Sequence, residues 1–591
     1  GLIMFYSGDD MMNMYEVWTV NPWRLARAEF MPWIPLYRPL GGAVYRVFYG
    51  IFGFHPAPLY LFCWLLLAGN AILAYRFFRA ITASVIQSLL ALSLTLVHGS
   101  FQDLYTSAGT IYDRLWFLFT VLGIAVYAQA RKKQESISLR TAVLVCLCCI
   151  LSMDSKESGV ALPLLLASYE AVFVLPRVWR RKRLPQWLRS IGPLYVTLAA
   201  LSLTFVLLRV RREPELTTNG MYRPHLDLAV WFTRISEYFT TLAYHHLKFS
   251  PQAAGLVVVL AAAAALLLRN QSMIFGWLFF VITITPVALI AARPGYVLYV
   301  PVLGLGLYGA ALIGITASRL SPAATAAIFA AVTIAVALLH AREWPPPPDP
   351  QLSPEFRLTE QFRREYPRLR QGSELLFVTD EFPRDAYDLL FNLRLLYHDH
   401  SIRAWRLAAP SDQQPPENPP EYDHIFTFAS ERYEALDTRD PARAIRLHIL
   451  RDYGVGRQMD TARRDSAAYV VSGVMDGDPS NQTRWTAPRA QLKFDVYPAP
   501  AEFSLKFWAP DFVTRSGNRT LSILVNGKAV GALLLRQDGM NEVSFPVPAD
   551  LISPSDYTLV DLNVDNPYKD AGGTAYGIVL LRAGFDYVTQ H

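Results

Sequence analysis

The stretch "RKKQESISLRTAVLVCLCCILSMDSKESGVALPLLLASYEAV" (residues 131–172) decides the fold. A basic connection opens it. An apolar run over 141–153 follows, then a short polar break at 154–157, then a second apolar run from 158 to 176. Runs of this kind suit lipid, where a spanning helix needs about 20 apolar residues. Three of the four cysteines, Cys146, Cys148 and Cys149, lie within the first run, and Cys63 lies in another. "CLCC" has neither the spacing nor the histidine partners of a zinc site, so these residues read as small apolar side chains.

The same alternation extends outward. Apolar runs stand at 56–75, 85–98, 113–130, 141–153, 158–176, 190–210, 252–268, 272–292, 296–316 and 322–340. Basic residues in "RFFRA" (76–80), 131–140, "RVWRRKR" (177–183), Arg269 and Arg319 fall in every second connection. The positive-inside rule makes those connections cytoplasmic and the others external. The chain is 52% hydrophobic with a net charge of +6, and its bases sit in these short clusters. That distribution sets membrane orientation and excludes nucleic acid as a partner. The alternation also predicts a further helix before Gly1, bringing the total to eleven.

Two external loops are long. Residues 6–55 hold "GDDMMNMYE" and the amphipathic "PLYRPLGGAVYRVFYGIFG"; residues 211–251 hold "HLDLAVWFTRISEYFTTLAYHHLKF". Both amphipathic pieces suit helices in the membrane interface. Beyond 341 the sequence reads as a soluble chain. "AREWPPPPDP" opens a proline-rich linker over 341–369. "SELLFVTD", "SIRAWRLA" and "YDHIFTFA" read as strands around one helix, an α/β unit over 370–460. From 461 to 591 short alternating strands predict a β-sandwich or jelly roll, with Asn526-Gly527 as a hairpin turn. "NQTRWTAPRAQLKFDV" resembles carbohydrate-binding jelly rolls. Asn481 and Asn518 stand in glycosylation sequons.

Three stretches in order, "YRPLGGAVYRVFYGIFG", "DSKESGVALPLLLASYE" and "TITPVALIAARPGYVLYVP" (283–301), resemble the GT-C superfamily of polytopic membrane glycosyltransferases. The likeness covers 1–340 and is nearest the protein O-mannosyltransferase-like and tetratricopeptide-containing transmembrane branches, although the tail has no 34-residue repeat. The resemblance implies an inverting transferase with a polyprenyl-phosphate sugar donor and an external acceptor, whether protein, lipid or glycan. It implies a bacterial inner-membrane location. It places the catalytic carboxylate at Asp9 or Asp10, the first preferred, as general base. Arg38, Arg114, Lys156 and Arg293 are the candidates for holding the lipid phosphate. His98, Asp103, Tyr296, His245 and His246 are the possible substrate contacts. A divalent cation, Mg or Mn, stays open, with Asp9, Asp10 and Asp103 as ligands if one binds. Each cation also has a plainer reading, as a side chain snorkelling to the interface. Glu157 reads as structural. Two other functions fit less well: a transporter or flippase for a lipid-linked saccharide, and a membrane-anchored glycan-binding scaffold.

Overall fold

The structure is a computed structural model. It describes residues 4–587 except 35, 134–136, 181–183, 212–221, 318–319, 347–348, 384, 408, 410–411, 417–419, 430, 437–454, 463, 476–482, 497, 516–518, 554–556 and 571–572. Arg181–Arg183, Arg319, Asn481 and Asn518, read above from the sequence, lie outside the described residues. The chain forms two compact units, Gly1–Arg363 with Phe391–His400, and Arg364–Leu390 with Ser401–His591.

The first unit is helical. It begins with α1 (Gly8–Thr19), α2 (Pro22–Ala28), α3 (Pro39–Phe52), α4 (Pro56–Thr82), α5 (Val85–Leu96), α6 (Asp103–Thr106), α7 (Ile111–Lys133) and α8 (Leu139–Ser155). Local signals set many of the starts. Ser138, Ser250, Asn270 and Ser321 each cap a helix through the side chain, and proline follows Ser250 and Ser321 at the first helical position. Every apolar run expected from the sequence is helical, but the count of spans is lower than ten. Among the described residues six helices are long and apolar enough to cross a membrane: Pro56–Thr82, Ala108–Lys132, Glu157–Arg180, Leu184–Leu208, Gln271–Ala288 and Ala323–Arg342. A seventh is Val85–Leu96 with Gly99–Thr106, bent by 65°. The other three, α8, Pro251–Leu267 and Pro301–Ala317, have 17 residues each. At about 1.5 Å per residue they reach roughly 26 Å, short of a core about 30 Å thick.

Two packing centres organise this unit. One joins Phe77, Phe78, Trp116, Phe117, Phe275, Phe279 and Tyr299. There the helices Gln271–Ala288 and Pro301–Ala317 approach at Gly276 and Gly304: a Cβ on Gly276 would lie 2.7 Å from the Gly304 carbonyl oxygen. Small residues permit such contact between apolar helices. The other centre joins Met11, Met14 and Val17 of α1 to Tyr45 and Tyr49 of α3, Cys63 of α4, and Ile111 and Tyr112 of α7. Residues 391–400 belong here, with Phe391 stacked on Tyr15 at 4.9 Å and the Tyr49 hydroxyl donating to the Leu395 carbonyl at 2.8 Å. Where a linker was expected over 341–369, the structure has a helix at Pro354–Glu365.

The second unit is β-rich. β1 (Glu374–Phe377), β2 (Arg403–Arg406), β3 (His424–Ala429) and β4 (Arg432–Leu436) form a sheet of order β2-β1-β3-β4, parallel except for β3–β4. A larger sheet combines β5 (Gln458–Asp460), β6 (Val470–Val474), β7 (Arg484–Phe494), β8 (Ala501–Ala509), β9 (Thr520–Val525), β10 (Lys528–Leu534), β11 (Gly539–Val547), β12 (Thr558–Val564) and β15 (Val579–Tyr587). β13 (Tyr568–Lys569) and β14 (Ala575–Tyr576) pair separately. The main path runs β10-β9-β12-β7-β15-β8-β11. Residues 489–494 of β7 pair with β12, whereas 484–485 pair with β15, so β7 joins the two halves. Leu492, Phe494, Ile523 and Leu562 pack with Phe503, Leu505, Phe507 and Phe585 between them. Asn526 and Gly527 both adopt positive φ, 47° and 80°, as the expected two-residue turn requires. The chain is therefore a polytopic helical membrane protein with a C-terminal β-rich region.

Candidate functional site

The first acidic pair sits on α1, where Asp9 and Asp10 part company. Ser7 caps the helix, and Asp10 closes the reciprocal capping box: its Oδ2 accepts from the Ser7 amide at 3.0 Å and the Ser7 hydroxyl at 2.8 Å. Its Oδ1 accepts from the Tyr45 hydroxyl at 2.5 Å. Asp10 is fully buried, and burial pushes its carboxyl above the ordinary range against the pull of those donors. Asp9, one residue and about 100° around the helix, is exposed. Among the described residues its carboxylate accepts no hydrogen bond.

Tyr112, at the start of α7, connects this pair to a group of cations. Its ring lies 6.3 Å from Tyr45 and 6.0 Å from Tyr37, and the Arg38 guanidinium lies 5.3 Å from its centre. Arg38 occupies a left-handed conformation at the N-cap of α3, with φ 40°. A non-glycine residue there is uncommon, and such strain concentrates at functional positions. It grips Glu157 with a two-point fork, Nε to Oε1 at 3.0 Å and Nη2 to Oε2 at 2.7 Å. Its guanidinium also rests 4.5 Å from the Tyr37 ring.

Lys156 neighbours Glu157 in sequence but pairs elsewhere, with Asp113 at 2.5 Å. Its ammonium lies 5.5 Å from the Trp116 ring and 5.8 Å from the Tyr296 ring. Burial raises the Tyr296 phenol, and Asp113, Arg38, Asp103 and Arg293 all bear on it in turn. Arg293 lies 4.1 Å over the Tyr222 ring, and the Tyr222 hydroxyl meets that of Tyr37 at 3.3 Å. Arg293 Nη2 is buried and, among the described residues, has no hydrogen-bond partner. Three cations thus converge within an aromatic frame. Two are held by carboxylates, and one keeps a donor unused.

Arg38, Lys156, Arg293, Tyr296 and Asp103 therefore gather, with Asp9 and Asp10 across Tyr112. The remaining residues singled out in the sequence are placed otherwise. Arg114 is 1% exposed; its Nε donates to the Leu104 carbonyl at 3.1 Å and its Nη2 to that of Ser107 at 2.8 Å. It clamps the loop before α7, because one helical step turns it away from its neighbour Asp113. His98 donates from Nε2 to the Leu242 carbonyl at 3.1 Å, accepts from the Ser100 amide at Nδ1, and stacks on Tyr244 at 4.1 Å. Tyr244 in turn meets His340 Nδ1 at 2.6 Å. His245 is exposed, and His246 pairs with Glu343 at 3.1 Å. His98 and His246 brace a loop, and neither they nor His245 join the cation group. Asp9, Asp10 and Asp103 do not form the metal-ligand set considered above: among the described residues no group of three His, Cys, Asp or Glu side chains is placed to hold a metal.

Sequence reasoning passed over Tyr37, Tyr45, Tyr112 and Tyr222. Tyr37 and Tyr45 belong to the "YRPLGGAVYR" stretch, each followed by an arginine. Gly41 between them matters for packing: a Cβ there would collide with the Tyr112 ring. The glycine is what lets α3 lie against α7.

Fold and site together define a polytopic membrane protein with an acidic helix beside a cluster of buried and half-buried cations. No protein-family model matches the chain, and no curated protein matches it. Among solved structures, arabinosyltransferase EmbB from Mycobacterium smegmatis, determined by single-particle cryo-EM, is similar at 12% identity with a TM-score of 0.24. The likeness covers 98% of this chain and 64% of that one, so the chain spans under two thirds of that protein's length.

Proposed function

We propose that the chain is an inverting membrane glycosyltransferase that moves a sugar from a polyprenyl-phosphate donor to an external acceptor. The observation that carries this reading is the convergence of Arg38, Lys156 and Arg293, one with an unused buried donor, across Tyr112 from an exposed Asp9. Asp9 takes the proton of an acceptor hydroxyl as that oxygen attacks the anomeric carbon. The bond from that carbon to the phosphate oxygen breaks, and the polyprenyl phosphate leaves with the electron pair. Arg38, Lys156 and Arg293 hold its growing charge. A single displacement inverts the anomeric centre. Asp10 positions α1 and Tyr45 and is not the base. The three cations lie where the start of α3, the start of α7 and the residues after Ala288 meet, with Arg38 against Tyr112, Lys156 against Trp116 and Tyr296, and Arg293 against Tyr222. That shared frame favours one phosphate site over separate interfacial anchors.

The test uses the full chain in lipid nanodiscs with polyprenyl-phosphate-linked mannose, glucose and arabinose as donors. Transfer is followed as release of polyprenyl phosphate that depends on added acceptor. Asp9→Asn is expected to abolish release while leaving donor binding within about twofold. If Asp9→Asn keeps full turnover, the catalytic assignment is wrong.

A further inference from the structure

The outer face of the C-terminal sheet carries a second feature outside the site above. Register places Trp485 of β7 opposite Val579 of β15, Val579 opposite Trp508 of β8, and Trp508 opposite Met540 of β11. Directly paired residues share a face. These four therefore form one row across four strands, about 14 Å long at 4.7–4.9 Å per strand. At Trp508 and Met540 this face is the outer one, since Phe507 beside Trp508 and Leu580 beside Val579 point into the core; Trp485 is half-buried and packs against that core at the inner end of the row. Trp508 is 45% exposed and Met540 54%, whereas Val579 is covered.

The row is extended by rings from outside the strands. Phe512, 41% exposed, stacks on Trp485 at 6.1 Å and 26°. Tyr576 meets Trp485 at 5.1 Å, and Tyr568 meets Phe512 at 4.7 Å. The Tyr576 hydroxyl donates to Asp570 at 3.1 Å. Two residues along β8 and β11, and three along β15 where the register shifts, the character changes. Glu542, Lys506 and Arg582 lie opposite one another, with Arg582 paired to Asp460 at 2.8 Å. Beyond them Ser504 and Ser544 meet at 3.0 Å.

We infer that this aromatic row is a glycan-binding platform. A sugar ring has one face of C–H groups and a rim of hydroxyls. The first stacks on exposed aromatic rings, and the second needs paired donors and acceptors at the edge. The platform supplies an apolar row flanked at one register step by carboxylate, ammonium and guanidinium. A protein partner would call for a broader apolar centre with a polar rim around it. The face has instead a narrow strip beside a charged strip, which suits a linear neutral oligosaccharide running across the strands. Its role as acceptor or product of transfer rests on the function proposed above; binding itself does not.

The experiment presents the full chain in nanodiscs to immobilised linear mannan, glucan, galactan and arabinan oligosaccharides. Retention on at least one is expected. Trp508→Ala and Phe512→Ala should each weaken it at least tenfold, and Trp508→Phe should restore most of it, which a merely structural role would not produce. Trp508 is exposed, so circular dichroism and thermal unfolding of these variants should match the parent. Retention on none of the four, or equal retention by Trp508→Ala, overturns the platform. Asp9→Asn should retain glycan as the parent does. Loss of its turnover with binding intact supports both inferences. Intact binding with no turnover in any form, the parent included, sinks the transferase reading alone.

Discussion

Replacing Asp10 by alanine tests whether that carboxylate is a positioning group. Two contributions disappear. The Ser7 amide and hydroxyl lose their acceptor, which undoes one half of a capping box worth about 1 kcal/mol. The Tyr45 hydroxyl, with its ring fully buried, is left without its 2.5 Å acceptor, at about 1–3 kcal/mol. The sum is about 2–4 kcal/mol against the packing of α1, α3 and α7. Asp10→Asn keeps an acceptor for Tyr45 and should lose only about 1 kcal/mol. Thermal unfolding followed with a thiol-reactive dye suits the measurement, because the four cysteines are free and Cys63 lies buried in this packing centre. The order expected is parent, then Asn, then Ala. The pH dependence has a definite sign. Burial raises the folded carboxyl above its ordinary 3.8, so the folded state holds the proton where the unfolded state has released it. This group's contribution is present below 3.8 and is lost as pH rises through the raised folded value. The difference in midpoint between parent and Asp10→Asn should therefore shift across that window in favour of the Asn form. An unchanged midpoint for Asp10→Ala, or an Asn form weaker than Ala, would refute the reasoning.

Other consequences follow from particular contacts. Arg38→Lys keeps a charge but cannot make the two-point fork to Glu157, so donor turnover should fall at least tenfold with the fold intact; unaltered kinetics would remove Arg38 from the site. Gly41→Ala drives a methyl into Tyr112 and should lower stability by about 1–3 kcal/mol, measured by the same unfolding assay. Glu170, whose side chain is buried, accepts from Tyr127 at 2.7 Å, from Trp187 at 2.7 Å and from the covered Arg131 guanidinium at 2.6 Å. Glu170→Ala leaves the Arg131 charge buried without this partner and should lower stability by about 3–5 kcal/mol; a loss under 1 kcal/mol would show that water reaches the pair. Gly304→Leu should separate the helices Gln271–Ala288 and Pro301–Ala317 and abolish stable extraction in mild detergent, read by gel filtration.

The class of fold was legible in the chain because lipid demands a coarse signal. An apolar run of the right length, a basic connection and a serine or asparagine cap are local properties, and each apolar run became a helix. The β hairpin at Asn526-Gly527 was legible for the same reason, since only such residues adopt both positive φ values cheaply. Span number was less so. Composition marked α8, Pro251–Leu267 and Pro301–Ala317 as apolar, but their helical lengths depend on where caps and loops cut them. The site shows the sharper division. Arg38, Lys156 and Arg293 could be singled out as cations between apolar runs, yet Arg114 looked equally good. Which of two adjacent residues faces the cluster is a matter of helix phase: Asp113 meets Lys156, and Arg114 turns to the loop carbonyls. Asp9 and Asp10 are distinguished in the same way. Glu157 was legible only as a structural acid; its fork to Arg38 and the approach of Tyr112 to Arg38 span 119 and 74 residues of chain, which no local pattern encodes. The sequence by itself determined that this protein lies in a membrane and ends in β structure, because hydrophobic length and strand alternation are set by solvent. Tertiary packing alone decided which charges meet, because a partner's distance depends on how helices far apart in the chain come to rest against one another.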